Sequence, residues 1–73
     1  MSCVAVDSTT LKTASYDLRV GELTLDFRDG SRYAYSGVTL DLFEDLLSAP
    51  SKGSFFNQHI RGHFPHVKLP AKN

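Results

Sequence analysis

Leu23-Thr24-Leu25-Asp26-Phe27-Arg28-Asp29-Gly30-Ser31-Arg32-Tyr33-Ala34-Tyr35-Ser36-Gly37 is the stretch whose reading decides the fold. Leu23, Leu25 and Phe27 alternate with Thr24 and Asp26, and Tyr33 and Tyr35 alternate with Arg32, Ala34 and Ser36. That period of two marks strands with one buried face, and Asp29-Gly30 supplies the turn between them. Two registers compete. A two-residue Asp29-Gly30 loop sets Leu25 opposite Ala34 and sends both tyrosines away from the leucines. A three-residue loop, Arg28 to Gly30 with Gly30 left-handed in a G1 bulge, sets Leu25 opposite Tyr33 and Leu23 opposite Tyr35. It also sets Asp26 opposite Arg32 on the solvent face. The second register keeps the apolar set together and pairs opposite charges, so it is the one predicted.

Toward the N-terminus, Leu11 to Tyr16 offers Lys12, Ala14 and Tyr16 on one face and Leu11, Thr13 and Ser15 on the other. It is expected to pair antiparallel with Leu23 to Phe27, because consecutive strands usually neighbour one another. Cys3-Val4-Ala5-Val6 reads as a short edge segment, ended by the turn formers Asp7-Ser8-Thr9-Thr10.

Toward the C-terminus the period changes at Val38. Thr39 can cap a helix with Leu40, Leu42, Phe43, Leu46 and Leu47 on one side and Asp41, Glu44 and Asp45 on the other, stopped by Ser48-Ala49-Pro50. Ser51 can cap a second helix, Lys52 to Arg61, with Phe55, Phe56 and Ile60 as its buried stripe and Gly62 closing it; Gly53 weakens its start. Phe43, Phe55, Phe56 and Ile60 are therefore predicted core residues. The expected fold is α+β in two layers: a three-stranded antiparallel meander, with the short N-terminal edge segment, followed by two helices packed on one sheet face in the order β-β-β-α-α. Residues 1–73 make one domain, and 66–73, with Pro70 inside it and little to bury, is expected to fray.

At 73 residues and 41% hydrophobic content the chain can build one small core. Its lone cysteine, Cys3, cannot close an internal disulfide, and no apolar run is long enough for a signal peptide or a membrane span. A cytoplasmic protein without a membrane partner is expected. A formal net charge of zero hides a split: residues 1–50 hold four cations against eight acids, whereas residues 51–73 hold Lys52, Arg61, Lys68, Lys72, all three histidines and no acid. Such a split suits an anionic partner.

The Tyr33-Ala34-Tyr35 centre, the preceding Phe27-to-Gly30 turn and the late run Ser51-Lys52-Gly53-Ser54-Phe55-Phe56-Asn57 with Ile60-Arg61 resemble, in order and spacing, the KTSC domain family. The resemblance covers most of the chain. It implies a small domain, found alone or appended to the C-terminus of some lysyl-tRNA synthetases, of uncharacterised function. RNA binding follows from that association alone.

His59, His63 and His66 form an H-x3-H-x2-H run, but Gly62 and Pro65 break the shared helix face and no further ligand completes a set. No metal or cofactor is expected. Ser51 beside Lys52 lacks Ser-x-x-Lys spacing and Cys3 has no adjacent base, so the chain reads as non-enzymatic. Tyr33 and Tyr35, sharing the leucine face, are expected to lie under the helices rather than to form a platform for stacking bases. The acid-free polar surface is then Lys52, Asn57, Gln58 and Arg61 on the outer side of the second helix, joined by His63 and Lys68. Lys52, Asn57, Arg61, His63 and Lys68 are the candidate nucleic-acid-binding residues of a small binding module for RNA. The rival is a protein-interaction domain that uses Asp41, Glu44 and Asp45 or the exposed edge of the first strand.

Overall fold

A turn of three residues sets the register of the sheet. Gly30 stands at φ 95°, its N–H donates to the Phe27 carbonyl at 3.0 Å, and the Phe27 N–H donates to the Ser31 carbonyl at 2.9 Å. These are the bonds of a G1-bulged hairpin, which needs a residue without a Cβ at the left-handed position. Leu23 faces Tyr35, Thr24 faces Ala34, Leu25 faces Tyr33 and Asp26 faces Arg32, as the alternation predicts. On the solvent side Arg32 Nε meets Asp26 Oδ1 at 2.6 Å, and Thr13 Oγ1 donates to Asp26 Oδ2 at 2.7 Å.

The computed structural model describes the backbone of residues 2–5 and the whole of residues 10–70. The expected turn at Asp7 to Thr9 and the end of the tail, residues 71–73, lie outside the described residues. The elements are β1 (Ser2–Ala5), β2 (Leu11–Asp17), β3 (Glu22–Phe27), β4 (Arg32–Tyr35), α1 (Leu40–Ser48), α2 (Lys52–Phe55), a π-helical turn (Phe56–Ile60) and β5 (His66–Leu69). The fold is α+β, with one antiparallel sheet in the order β1-β2-β3-β4-β5.

Four expectations need correction. First, the segment expected to fray from residue 66 is a fifth strand: Tyr35, Ala34, Tyr33 and Arg32 of β4 pair with His66, Val67, Lys68 and Leu69. Backbone pairing, not burial, draws it in, because without it the outer N–H and C=O groups of β4 would be an open edge. Second, β2 bulges between Leu11 and Thr13, so Lys12 is the extra residue and Leu11 turns to the same face as Ala14 and Tyr16. Leu11 is fully buried and Lys12 exposed. Third, the short N-terminal edge segment is a full strand, β1, paired with β2, so the sheet has five strands where three and a segment were expected. Fourth, the second helix is α-helical only through Phe55. Beyond it the Arg61 N–H donates to the Phe56 carbonyl at 2.8 Å, one residue further back than in an α-helix.

The caps are where the sequence places them. Thr39 Oγ1 accepts from the Leu42 N–H, and Ser51 Oγ accepts from the Ser54 N–H. Phe43 and Leu46 of α1 and Phe56 and Ile60 of the π-helical turn join Leu11, Ala14, Tyr16, Leu23, Leu25, Tyr35 and Val38 in one core. Phe55, expected in that core, is only half-buried and lies against the exposed His59 ring at 4.5 Å. Phe56 and Ile60, four residues apart, share the face toward the sheet, and Phe55 stands at the margin.

A candidate nucleic-acid interface

The helices close only part of the sheet. Tyr16 stacks on Phe43 with ring centroids 5.1 Å apart, and its buried hydroxyl donates to the Val38 carbonyl at 2.6 Å. Toward β4 and β5 the cover stops at Phe56, whose ring meets Phe27 at 5.3 Å and Tyr35 at 5.7 Å. Beyond Phe56 lies a cleft of about 640 Å³, within the range of small-ligand sites.

Its floor is aromatic. Phe27 stands edge-on to Tyr33 at 5.8 Å, and the His66 ring lies 5.8 Å from Tyr33 and 5.4 Å from Tyr35. Tyr35 is buried and Tyr33 half-buried. One wall, the π-helical turn and its exit, carries Asn57 and Arg61. The hairpin loop contributes Asp29 and Ser31, and Thr10 also reaches the cleft. Lys68 pairs with Tyr33 across β4 and β5, which puts it on the cleft side, and its charge acts on Asp29.

Two ionisable groups are tuned by this setting. Burial holds the Tyr35 hydroxyl above its usual pKa of 10.0; the neighbouring Tyr33 adds to the shift, and the Arg61 charge opposes it. The Ser31 hydroxyl, then the Ser31 N–H, hold the Asp29 carboxyl below its usual range by donating to Oδ1 at 2.6 and 2.9 Å. Asp29, held by Ser31, lines the same cleft as Arg61 and the aromatic rings.

Of the five candidate residues, the structure brings Asn57 and Arg61 into the cleft and Lys68 to its rim. Lys52 is turned back on the chain, its Nζ donating to the Ala49 carbonyl at 3.1 Å, and neither it nor the exposed His63 lines the cleft. Sequence reasoning missed His66, Asp29 and Ser31, and it placed both tyrosines under the helices, where Tyr35 is buried but Tyr33 only half-buried. His66-Val67-Lys68-Leu69 does alternate after Pro65, and that short run was the available signal. Among the described residues no three His, Cys, Asp or Glu side chains come together to hold a metal ion, and no helix is long and apolar enough to cross a membrane.

Residues 7–64 match the family model of the KTSC domain. The chain belongs to the KTSC family. It is 40% identical over 63 residues to a lysine–tRNA ligase of Nostoc punctiforme, covering 86% of this chain and 11% of that protein. It is 38% identical over 64 residues to a small protein of Tsukamurella paurometabola, of which it covers 96%. The crystal structure of a KTSC domain protein from Yersinia pestis superposes with a TM-score of 0.90 at 32% identity, covering 94% of this chain and 97% of that one. The KTSC chain therefore spans about a tenth of the ligase it matches and nearly all of the small proteins. Asp29, Tyr33, Tyr35, Asn57 and Arg61 fall inside the family-matched span, while His66 and Lys68 follow it.

Proposed function

We propose that this KTSC domain is a non-enzymatic binding module that holds single-stranded RNA in the cleft between the β4–β5 edge and the π-helical turn. The observation that carries the reading is the meeting of Arg61 with Tyr33, Tyr35 and His66 in one open cleft. Single-stranded RNA is recognised where unstacked bases can lie against aromatic rings while cations take the phosphates. Half-buried Tyr33 offers the ring, and Arg61 and Lys68 the charge. The kinship to a segment of lysine–tRNA ligases, proteins named for joining lysine to tRNA, favours RNA as the anionic partner.

Titration of a labelled, unstructured RNA at about 50 mM salt tests this, since screening is weak there and phosphate contacts are strongest. Saturable binding that weakens with salt is expected. Arg61→Ala with Lys68→Ala should flatten the dependence of log K on log salt by about 1.4, the share of two phosphate contacts on a single strand. Lys52→Gln should leave it unchanged, because Lys52 is tied to Ala49 outside the cleft. Absence of saturable binding at low salt overturns the proposal. Capture of a protein partner that Asp41→Lys or Glu44→Lys abolishes would support the protein-interaction rival instead.

A further inference from the structure

Among the described residues that line the cleft Asp29 is the one acid, and it sits where an anionic ligand is to bind. A carboxylate there repels phosphate, so its presence calls for a donor on the ligand. We infer that the cleft takes one ribonucleotide unit, its phosphate toward Arg61 and its ribose 2′-hydroxyl donating to Asp29, so that Asp29 selects RNA over DNA. This deepens the RNA reading and rests on it.

Three observations converge. The cleft is of single-ligand size and carries both signs of charge: Asn57 and Arg61 come from the π-helical turn and its exit, Asp29 and Ser31 from the hairpin loop, and Phe27 and Tyr33 are among its rings. A nucleotide offers matching groups, with phosphate at one end, hydroxyl donors on the sugar and a planar base that rings can contact. Asp29 is also held in place. Both hydrogen bonds from Ser31 fall on Oδ1, which orients the carboxylate and leaves Oδ2 to accept from a ligand. The same bonds keep the group ionised below its usual range, so it can only accept. Deoxyribose has no 2′-hydroxyl to offer and leaves the carboxylate facing only negative charge.

The experiment compares a six-nucleotide RNA with the DNA of the same sequence by fluorescence anisotropy at about 50 mM salt, on the full chain. RNA should bind about tenfold more tightly or better, the scale of one hydrogen bond to a charged acceptor. In Asp29→Ala the ratio should fall toward one, with RNA weakened and DNA unchanged or tighter. Asp29→Asn, which keeps the side-chain turn, should lower the ratio part of the way and tighten DNA because the charge is gone. RNA and DNA binding equally well, or a ratio unchanged in Asp29→Ala, overturns the inference while leaving RNA binding standing. Failure of both nucleic acids to bind overturns the RNA reading and this inference together.

Discussion

The two halves of the helix-facing sheet surface are built from the same alternation and end differently. On the β2–β3 half, Leu11, Leu23 and Leu25 are fully buried beneath α1 and the π-helical turn, and the Tyr16 hydroxyl is consumed by the Val38 carbonyl. On the β4–β5 half, Tyr33 is half-buried, His66 and Lys68 are exposed, and the rings face a cleft. Period two says which side chains share a face; it does not say how far the next layer reaches. Here that layer ends at Phe56, and the side chains beyond its reach form the candidate site.

Phe56 is the boundary between the halves, so removing it should break the distinction most strongly. Phe56→Ala is expected to cost about 3 to 5 kcal/mol in denaturant unfolding, a large share of the stability of so small a domain. Gly53→Ala comes next. A Cβ at residue 53 would stand 2.8 Å from Thr10 Oγ1, with the Thr10 Cβ at 3.2 Å. Overpacking of about 1 to 3 kcal/mol should outweigh the gain of up to about 1 kcal/mol in helix propensity, giving a measurable loss in melting temperature. Tyr16→Phe should cost about 1 kcal/mol by the same measure, since it strips the buried Val38 carbonyl of its 2.6 Å partner.

The smallest effect is confined to alkaline pH. The Tyr35 pKa is raised on folding, so its favourable contribution is complete below the usual value of 10.0 and is lost as pH rises from there through the folded-state value. Unfolding free energy should therefore decline above pH 10, and Tyr35→Phe should make that decline shallower while leaving the neutral range flat.

How much was legible depended on what held each element. The hairpin register could be read because a wrong register would have exposed the apolar residues, and Thr39 and Ser51 were legible as caps because a short polar oxygen before an apolar run has a definite partner. β5 was not, since its side chains are mostly exposed and backbone pairing rather than burial recruits it. The bulge at Lys12 was hidden because it adds a residue that lets Leu11 meet the core, a demand of the assembled sheet, and the π-helical turn left no mark in the helical spacing of Phe56 and Ile60. Gly53, read as a weak point in a helix, is where α2 passes close to Thr10. For the site, Arg61 and Asn57 were found from an acid-free helix face, and Lys68 from charge alone. His66 and Asp29 needed β5 and the hairpin loop to be seen beside the π-helical turn.

The central claim, that the open half binds and the closed half supports, is tested most directly by backbone and aromatic NMR shifts during titration with unstructured RNA at about 50 mM salt. The account predicts saturating shifts confined to Asp29, Tyr33, Asn57, Arg61, His66 and Lys68 and their immediate neighbours, with Asp41, Glu44 and the exposed Leu18 and Val20 unmoved. Shifts centred on α1 or on Leu18 and Val20, with the cleft silent, would contradict it.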